Sequence, residues 1–453
     1  MKILLISANN ERLPYPVAPI GIAYISKALQ DKGHAVRLTD LCFVEDGCSS
    51  IAKTLQDFNP DVIGISIRNI DNLTYHKSVF YMPEIRRIVD FLKTRTSAPL
   101  VVGGSGFSIF PEEVLRYLGL ETGIVGEGET AFVQLLDVIE NGGSPYHIQN
   151  LCYIKDGRFN SNGVMYNQFS SRPDRSLLNN GAYLEFGGMA NIQSKRGCPF
   201  QCSYCTYPGI EGAMLRLMPP ADVAEELKEM RLLYGIDYVF FVDDVFNFPE
   251  EHAVEVCEEI IKRDVKINWT CFATPKGMTP KLAALMKLAG CKGIEFGSDA
   301  GAEKTLRGLN KHFTPGDIAY AGECCREIDL PHAHYIILGG PEEDCSTLKE
   351  TFYLFEKMKP TAIIALLGLR IYPNTQLHSR AIADGIIGKD KHLLEPAFYV
   401  SPEIDTDAVF QDISDHAKKH HNWIVPGFDV RCDATMLTML RKMGKKGPLW
   451  DAL

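Results

Sequence analysis

Three cysteines, Cys198, Cys202 and Cys205, stand at C-x3-C-x2-C spacing in the run Cys198-Pro199-Phe200-Gln201-Cys202-Ser203-Tyr204-Cys205. Whatever this chain folds into must deliver three thiols to one short loop. The run before it, Ala190-Asn191-Ile192-Gln193-Ser194, reads as a buried strand, and Lys195-Arg196-Gly197 as a turn. Thiolates are soft ligands suited to iron–sulfur clusters or zinc. Four irons held by three cysteines leave one iron with an open position. A zinc site needs a fourth ligand nearby, and the next His after Cys205 is His252. Three buried thiols without a ligand role is the plainest alternative.

The rest of the composition excludes several classes. The 453 residues are 45% hydrophobic and 23% charged, ordinary for a globular chain with room for two or three domains. A net charge of −10 argues against a general nucleic-acid binder. The one basic run, Arg441-Lys442-Met443-Gly444-Lys445-Lys446, reads as a solvated tail. No apolar run approaches the ~20 residues that span a membrane. The start, Met1-Lys2-Ile3-Leu4-Leu5-Ile6, reads as a strand rather than a signal peptide, because Ser7-Ala8-Asn9-Asn10-Glu11-Arg12 interrupts it. The 13 scattered cysteines then imply a reducing cytoplasm, with thiols as ligands or core residues.

Residues 1–140 alternate strand and helix patterns. Strands are expected near 2–7, 34–39, 61–67, 99–103 and 123–125, and helices near 21–32, 80–95 and 130–140. Asp61-Val62-Ile63-Gly64-Ile65-Ser66-Ile67 is continuous and β-branched, as a strand buried on both faces should be. The pattern implies a doubly wound parallel sheet, flavodoxin- or Rossmann-like, which binds ligands beyond the carboxyl ends of its strands. Residues 141–188 read as a connector with a hairpin turning at Asp156-Gly157. From 189 to 381 the alternation returns as six strand–helix units, a partial (β/α)6 barrel whose chemistry belongs at the strand carboxyl ends. Residues 382–453 carry no assignable motif and are expected to cover the barrel.

The cysteine loop resembles the C-x3-C-x-aromatic-C motif of the radical S-adenosylmethionine (SAM) enzymes, with Tyr204 in the aromatic place. The resemblance implies a 4Fe–4S cluster on Cys198, Cys202 and Cys205. Its open iron would chelate SAM, which is cleaved to a 5′-deoxyadenosyl radical. Further segments fit the family in order. Phe241-Val242-Asp243-Asp244 resembles its second-strand motif, and Gly293-Ile294-Glu295-Phe296-Gly297-Ser298 its fourth-strand motif. Leu338-Gly339-Gly340-Pro341-Glu342-Glu343 and Ile371-Tyr372-Pro373-Asn374-Thr375 resemble the fifth and sixth. The SAM contacts so implied are Tyr204, Asp243, Glu295, Ser298, Lys311 and Tyr372.

Upstream, the strand-end segments Ala18-Pro19-Ile20-Gly21, Ser66-Ile67-Arg68-Asn69, Gly103-Gly104-Ser105-Gly106 and Gly126-Glu127-Gly128-Glu129 resemble, as a set, the cobalamin-binding domain of one radical SAM class. The implied contacts are Pro19, Gly21, Ser66, Arg68, Asn69, Gly103, Gly104, Ser105, Gly126, Glu127 and Gly128. The first loop lacks the D-x-H-x-x-G signature that supplies a lower cobalt ligand in many corrinoid domains. The first His is His34, read as a solvated loop residue. The expectation is base-off cobalamin with no histidine ligand, and Arg68 as a candidate beneath the corrin.

The implied function is a cobalamin-dependent radical SAM methyltransferase acting on an unactivated carbon or phosphorus centre. A cobalamin-dependent cyclase or rearrangement enzyme, and a non-catalytic cobalamin or cluster carrier, are the alternatives. The implied partners are a small-molecule, lipid or peptide substrate and a flavodoxin- or ferredoxin-type electron donor, with the chain a monomer. No residue is singled out as catalytic. His332 and His334, two apart on a strand, share a face and could point into the barrel. A buried, hydrogen-bonded pair is the commoner arrangement. Cys271 stands at a strand end and Cys324-Cys325 on a helix, both read as packing. His416 and His420 fall at i, i+4 on a helical stretch with His421 beyond, a metal-ligand spacing without an evident third ligand.

Overall fold

The structure, a computed structural model, describes residues 1–75, 77–169, 171–426 and 434–452. The first unit runs β1 (Lys2–Ser7), α1 (Ile20–Asp31), β2 (Ala35–Asp40), α2 (Gly47–Phe58), β3 (Val62–Ser66), α3 (Met82–Arg95), β4 (Leu100–Gly103), α4 (Ser105–Ile109), α5 (Pro111–Leu118), β5 (Thr122–Ile124) and α6 (Glu129–Asn141). Its strands lie in the order β2-β1-β3-β4-β5, every pair parallel. Helices cover both faces, so β1 and β3 bury nearly every side chain. Helices α2, α4 and α5 go beyond the expected elements. The first turn of α2 is Gly47-Cys48-Ser49-Ser50, weak helix formers, yet Asp46 caps it by accepting from the N–H groups of Cys48 and Ser49.

The hairpin expected in the connector belongs instead to the first sheet. Strands β6 (Leu151–Lys155) and β7 (Arg158–Ser161) add to it, β6 running antiparallel to β5. Without them β5 would be an open edge of three residues with unpaired backbone groups. The sheet is therefore seven-stranded and mixed. His34 is buried rather than solvated, its Nδ1 3.3 Å from the Met1 amino nitrogen.

Helix α7 (Asn180–Gly187) leads into the second unit, which runs β8 (Ala190–Ile192), β9 (Lys195–Arg196), α8 (Tyr207–Ile210), β10 (Arg216–Leu217), α9 (Pro220–Tyr234), β11 (Tyr238–Phe241), α10 (Glu250–Lys262), β12 (Asn268–Ala273), α11 (Pro280–Leu288), β13 (Cys291–Asp299), α12 (Glu303–Gly308), α13 (Pro315–Glu327), β14 (His332–Leu338), α14 (Cys345–Met358) and β15 (Ala362–Leu367). Beyond it come β16 (Leu369–Arg370), α15 (Gln376–Ala383), β17 (Phe398–Tyr399), α16 (Thr406–Lys419), β18 (Trp423–Ile424) and α17 (Ala434–Lys442). The barrel sheet has the order β8-β11-β12-β13-β14-β15-β18, all parallel. The six expected strands are there, and the C-terminal region adds β18 as a seventh.

Strand alternation sorts β13 and β14 into two faces. Ile294 and Phe296 meet the helix layer, and Glu295 and Gly297 face the barrel interior. His332 and His334 also face the helices, not the interior. His334 stacks on Phe296 at 5.0 Å and meets Phe355 of α14 at 5.4 Å. Burial lowers both imidazole pKa values, so they sit neutral in the core. Cys271, Cys324 and Cys325 are buried core residues.

The basic run is not a solvated tail. Arg441 is buried against Gly188, Lys446 pairs with Asp237, and the Gly447 N–H donates to the Gly188 carbonyl. This docks Trp450 inside the amino end of the barrel. Its ring lies over Gly293, where a Cβ would come within 2.9 Å of it. Buried polar links join the two units. Arg370 pairs with Asp71 at 2.9 Å, Tyr183 donates to Asp40 at 2.6 Å, and Asn191 donates to the Ala18 carbonyl at 2.8 Å. Among the described residues no helix is long and apolar enough to cross a membrane.

Candidate functional site between the two sheets

The carboxyl ends of both sheets open onto one cavity of about 540 Å³. The first unit contributes Ser7, Pro19, Gly21, Ser66, Arg68, Gly103, Gly104, Ser105, Gly126, Glu127 and Gly128. The second contributes Cys198, Cys202, Tyr204, Cys205, Val242, Asp243, Asp244, Gly297 and Lys311. Both sets follow from parallel topology, which gathers successive strand-end loops at one end of a sheet.

The cysteine loop is pinned on two sides. The Cys198 N–H donates to the Gly212 carbonyl at 3.0 Å, the Ser203 N–H to Leu309 at 2.9 Å, and the Leu377 N–H to Ser203 at 2.7 Å. Burial pushes the Cys198 thiol up to about 11 and Cys205 up to about 12, and it raises Cys202 against the pull of Lys311. All three are free. Among the described residues, only Glu356, His416 and His420 bring three His, Cys or carboxylate ligand atoms within 4.8 Å of one another. The three cysteine sulfurs do not all lie within 4.8 Å of one another, wider than the spacing of about 4 Å between thiolates on one zinc ion. A cluster of several irons suits that spread.

Behind Cys202 lies a charged group that joins two expected residues, Tyr204 and Lys311, to one that the sequence motifs did not reveal, Asp299. The Lys311 ammonium sits 2.7 Å from Asp299 Oδ2 and 3.5 Å from Cys202 Sγ, and Tyr204 donates to the same carboxylate at 2.5 Å. Burial opposes charge on Lys311, yet Asp299, Tyr204 and Cys202 hold its pKa well above the ordinary value. Asp299 reaches this place because β13 slips register against β14 between Gly297 and Asp299, and its backbone turns to a φ of 61°. That local bulge breaks the alternation a motif reading relies on.

On the neighbouring strand, Asp243 is fully engaged, accepting from Ser194 N at 2.6 Å and Ser194 Oγ at 2.5 Å. Asp244 is not: its buried Oδ2 has no partner. Burial, then repulsion from Glu211 and Asp243, raises its pKa well above the carboxylate range. Burial also raises Glu211, which lines the same wall. In the first unit, Glu127 is taken up by Arg216 and the Asn167 N–H. Arg68 lines the cavity with no hydrogen bond or ion pair to its guanidinium among the described residues. Gly104 has a φ of 101°, and a Cβ there would lie 2.5 Å from the Ile67 carbonyl oxygen, so only glycine lets β4 turn this close to β3.

Four expected contacts lie off the cavity. Asn69 falls on the opposite side from Ser66 and Arg68, as alternation along an extended segment requires. Ser298 points outward, its Oγ 2.7 Å from His334 Nδ1. Tyr372 fills the seam between the units, 6.0 Å from Phe110 and 5.1 Å from the Arg370 guanidinium. Glu295 is sealed in the barrel interior, where Trp450 Nε1 donates to it at 2.7 Å. Burial pushes its carboxyl up to about 7, against the hydrogen bonds from Trp450 and Tyr335.

Residues 6–136 match the B12 binding domain family and residues 192–354 the Radical SAM superfamily. The chain belongs to the cobalamin-dependent radical SAM enzymes. Among its relatives, an uncharacterized methyltransferase of Pyrococcus horikoshii is 25% identical over 398 residues, 85% of this chain and 84% of that one. A tryptophan 2-C-methyltransferase of Streptomyces laurentii is 22% identical over 439 residues, 81% of this chain and 72% of that one. The solved structure of the radical SAM methyltransferase TsrM from Kitasatospora setae, with cobalamin and a 4Fe–4S cluster bound, shares the fold. Its TM-score is 0.88 at 23% identity, covering 99% of this chain and 96% of that chain.

Proposed function

We propose that the chain is a cobalamin-dependent radical SAM methyltransferase that methylates a small molecule in the cavity between its two sheets. The observation that carries this reading is the single cavity shared by the strand-end loops of one unit and the three-thiol loop of the other. Bound there, the cluster would cleave SAM reductively and cobalamin would supply a transferable methyl group. Cys198, Cys202 and Cys205 would hold the cluster, and Gly104, Ser105 and Gly126 would border the corrin.

The chain's own side chains would do the positioning. Lys311, neutralised by Asp299, would hold positive charge against the Cys202 sulfur and favour electron arrival there. Asp244 and Glu211 would accept an ammonium group, which would restore the ionised state that burial opposes. Arg68 carries no lone pair for cobalt, so beneath the corrin it would exclude water without replacing it. The partial burial of the cavity would keep solvent from reactive carbon. An external one-electron donor of flavodoxin or ferredoxin type, a monomeric state and a cytoplasmic location complete the proposal. So does the division into 1–140, 141–188, 189–381 and 382–453, in which the hairpin of the 141–188 connector pairs onto the sheet of the first unit.

The test is product analysis with the reconstituted protein, SAM and a low-potential reductant. Cobalamin-dependent S-adenosylhomocysteine is expected. SAM cleavage without S-adenosylhomocysteine in the presence of cobalamin would rule out methyl transfer.

A further inference from the structure

Away from the cavity, helix α14 and the C-terminal helix α16 bring together Glu356, His416 and His420. His416 Nε2 lies 3.5 Å from Glu356 Oε1, and His420 Nε2 lies 3.8 Å from the same oxygen. All three ligand atoms fall within 4.8 Å of one another. His416 lies in the last turn of α16 and His420 is the residue that caps it, four positions on, while the carboxylate comes from the facing helix. We propose that this triad is a binding site for a borderline divalent cation of the zinc class, fastening the C-terminal region to the barrel.

Two observations carry it. First, the spacing suits one ion: ligands at about 2.0–2.1 Å around a tetrahedral centre stand a little over 3 Å apart, so only a small closure is needed from 3.5 and 3.8 Å. Second, His416 Nε2 is buried and has no hydrogen-bond partner. The ring is held by Phe352, stacked at 5.1 Å, and by Trp423, edge-on at 4.5 Å. A buried nitrogen aimed at a carboxylate without a hydrogen bond has a use if it is a ligand.

Imidazole nitrogen with one carboxylate favours zinc, cobalt or nickel over magnesium or calcium. His420 and Glu356 are about two-fifths exposed, which leaves room for entry and for water as the fourth ligand. The site joins α14, an outer helix of the barrel, to α16, which leads directly into the edge strand β18. Bound metal would hold that edge strand and the chain beyond it in place.

The experiment titrates Zn²⁺ alone into full-length protein whose cluster has been reconstituted, so that Cys198, Cys202 and Cys205 are occupied. The wild type is compared with His420→Ala and Glu356→Gln, both surface substitutions expected to fold. The wild type should bind one more Zn²⁺ per chain than either variant, or bind it at least tenfold more tightly. Saturating Zn²⁺ should raise its Tm by about 2 °C or more, as a ligand of the folded state does, and leave the His420→Ala Tm unmoved. Equal zinc binding in all three proteins, or none in the wild type at 100-fold excess over protein, would overturn the site. Equal Tm shifts in wild type and His420→Ala would overturn the fastening role.

Discussion

The two ends of the barrel use similar residues for opposite purposes. At the carboxyl end, Asp299 reaches the cysteine loop and holds Lys311 and Tyr204 beside Cys202. Towards the amino end, Glu295, four residues earlier on the same strand, is closed over by Trp450, which donates to it at 2.7 Å. Both are buried acids on β13, and a motif reading favours Glu295. What separates them is position along the strand and one register slip. The acid at the open end anchors Lys311 and Tyr204 beside the cysteine loop, while the one at the plugged end accepts from the chain's own Trp450. The lesson is that alternation assigns a face, but depth along the barrel assigns a role.

The comparison can be broken at several places. The largest effect is expected at the open end, where Cys198→Ala/Cys202→Ala/Cys205→Ala should remove bound iron and all SAM cleavage. Iron near four per chain in that variant would show that the cluster is held elsewhere. Next, Asp299→Ala leaves the Lys311 charge buried and unpaired. That should cost about 3 kcal/mol or more of stability, and SAM cleavage should fall at least 100-fold in the protein that folds. Asp299→Glu should recover part of both; cleavage within threefold of wild type in Asp299→Ala would sever Asp299 from the site.

At the plugged end the effects should be on stability and its pH dependence. Folding raises the Glu295 carboxyl from 4.5 to about 7, so the folded chain holds this proton more tightly than the unfolded chain. Its contribution is full below pH 4.5 and is lost as pH rises through 7. Chemical denaturation of Glu295→Gln, which keeps the acceptor without the charge, should show it gaining up to about 3 kcal/mol on the wild type between pH 5 and pH 8. Parallel pH profiles would contradict the burial. SAM affinity should be unchanged in this variant, and a tenfold loss would return Glu295 to the cofactor site. The smallest effect is expected for Trp450→Phe, which strips a donor from a buried carboxyl at about 1–3 kcal/mol. Cobalamin and iron content should stay at wild-type levels, and loss of either would mean that the plug shapes the cavity.

Much of this was legible in the residues. The strands of both sheets announce themselves because parallel strands covered on both faces read as unbroken apolar runs. The three thiols declare themselves by spacing, and the strand-end glycines and Arg68 by their place after such runs. What could not be read depends on contacts distant in sequence. The Asp156-Gly157 hairpin is plain, but that it joins β5 is not. Trp450 and Glu295 stand 155 residues apart, and nothing local to either signals the pairing. Ser298 and Tyr372 matched motifs, but their contacts with His334 and across the domain seam could not be read from them. Asp299 lay in plain view next to the fourth-strand motif, and only the bulge at Gly297 turned it toward Lys311. His416 and His420 showed ligand spacing, while Glu356 came from a helix some 60 residues earlier.

The central claim is that the strand-end loops of the first unit and the thiol loop of the second serve one shared cavity. Anomalous diffraction at the cobalt and iron edges, from crystals of the full chain loaded with cobalamin and cluster, tests it most directly. The account predicts both peaks inside the cavity bordered by Arg68, Gly104 and Cys205. A cobalt peak outside that cavity would contradict it.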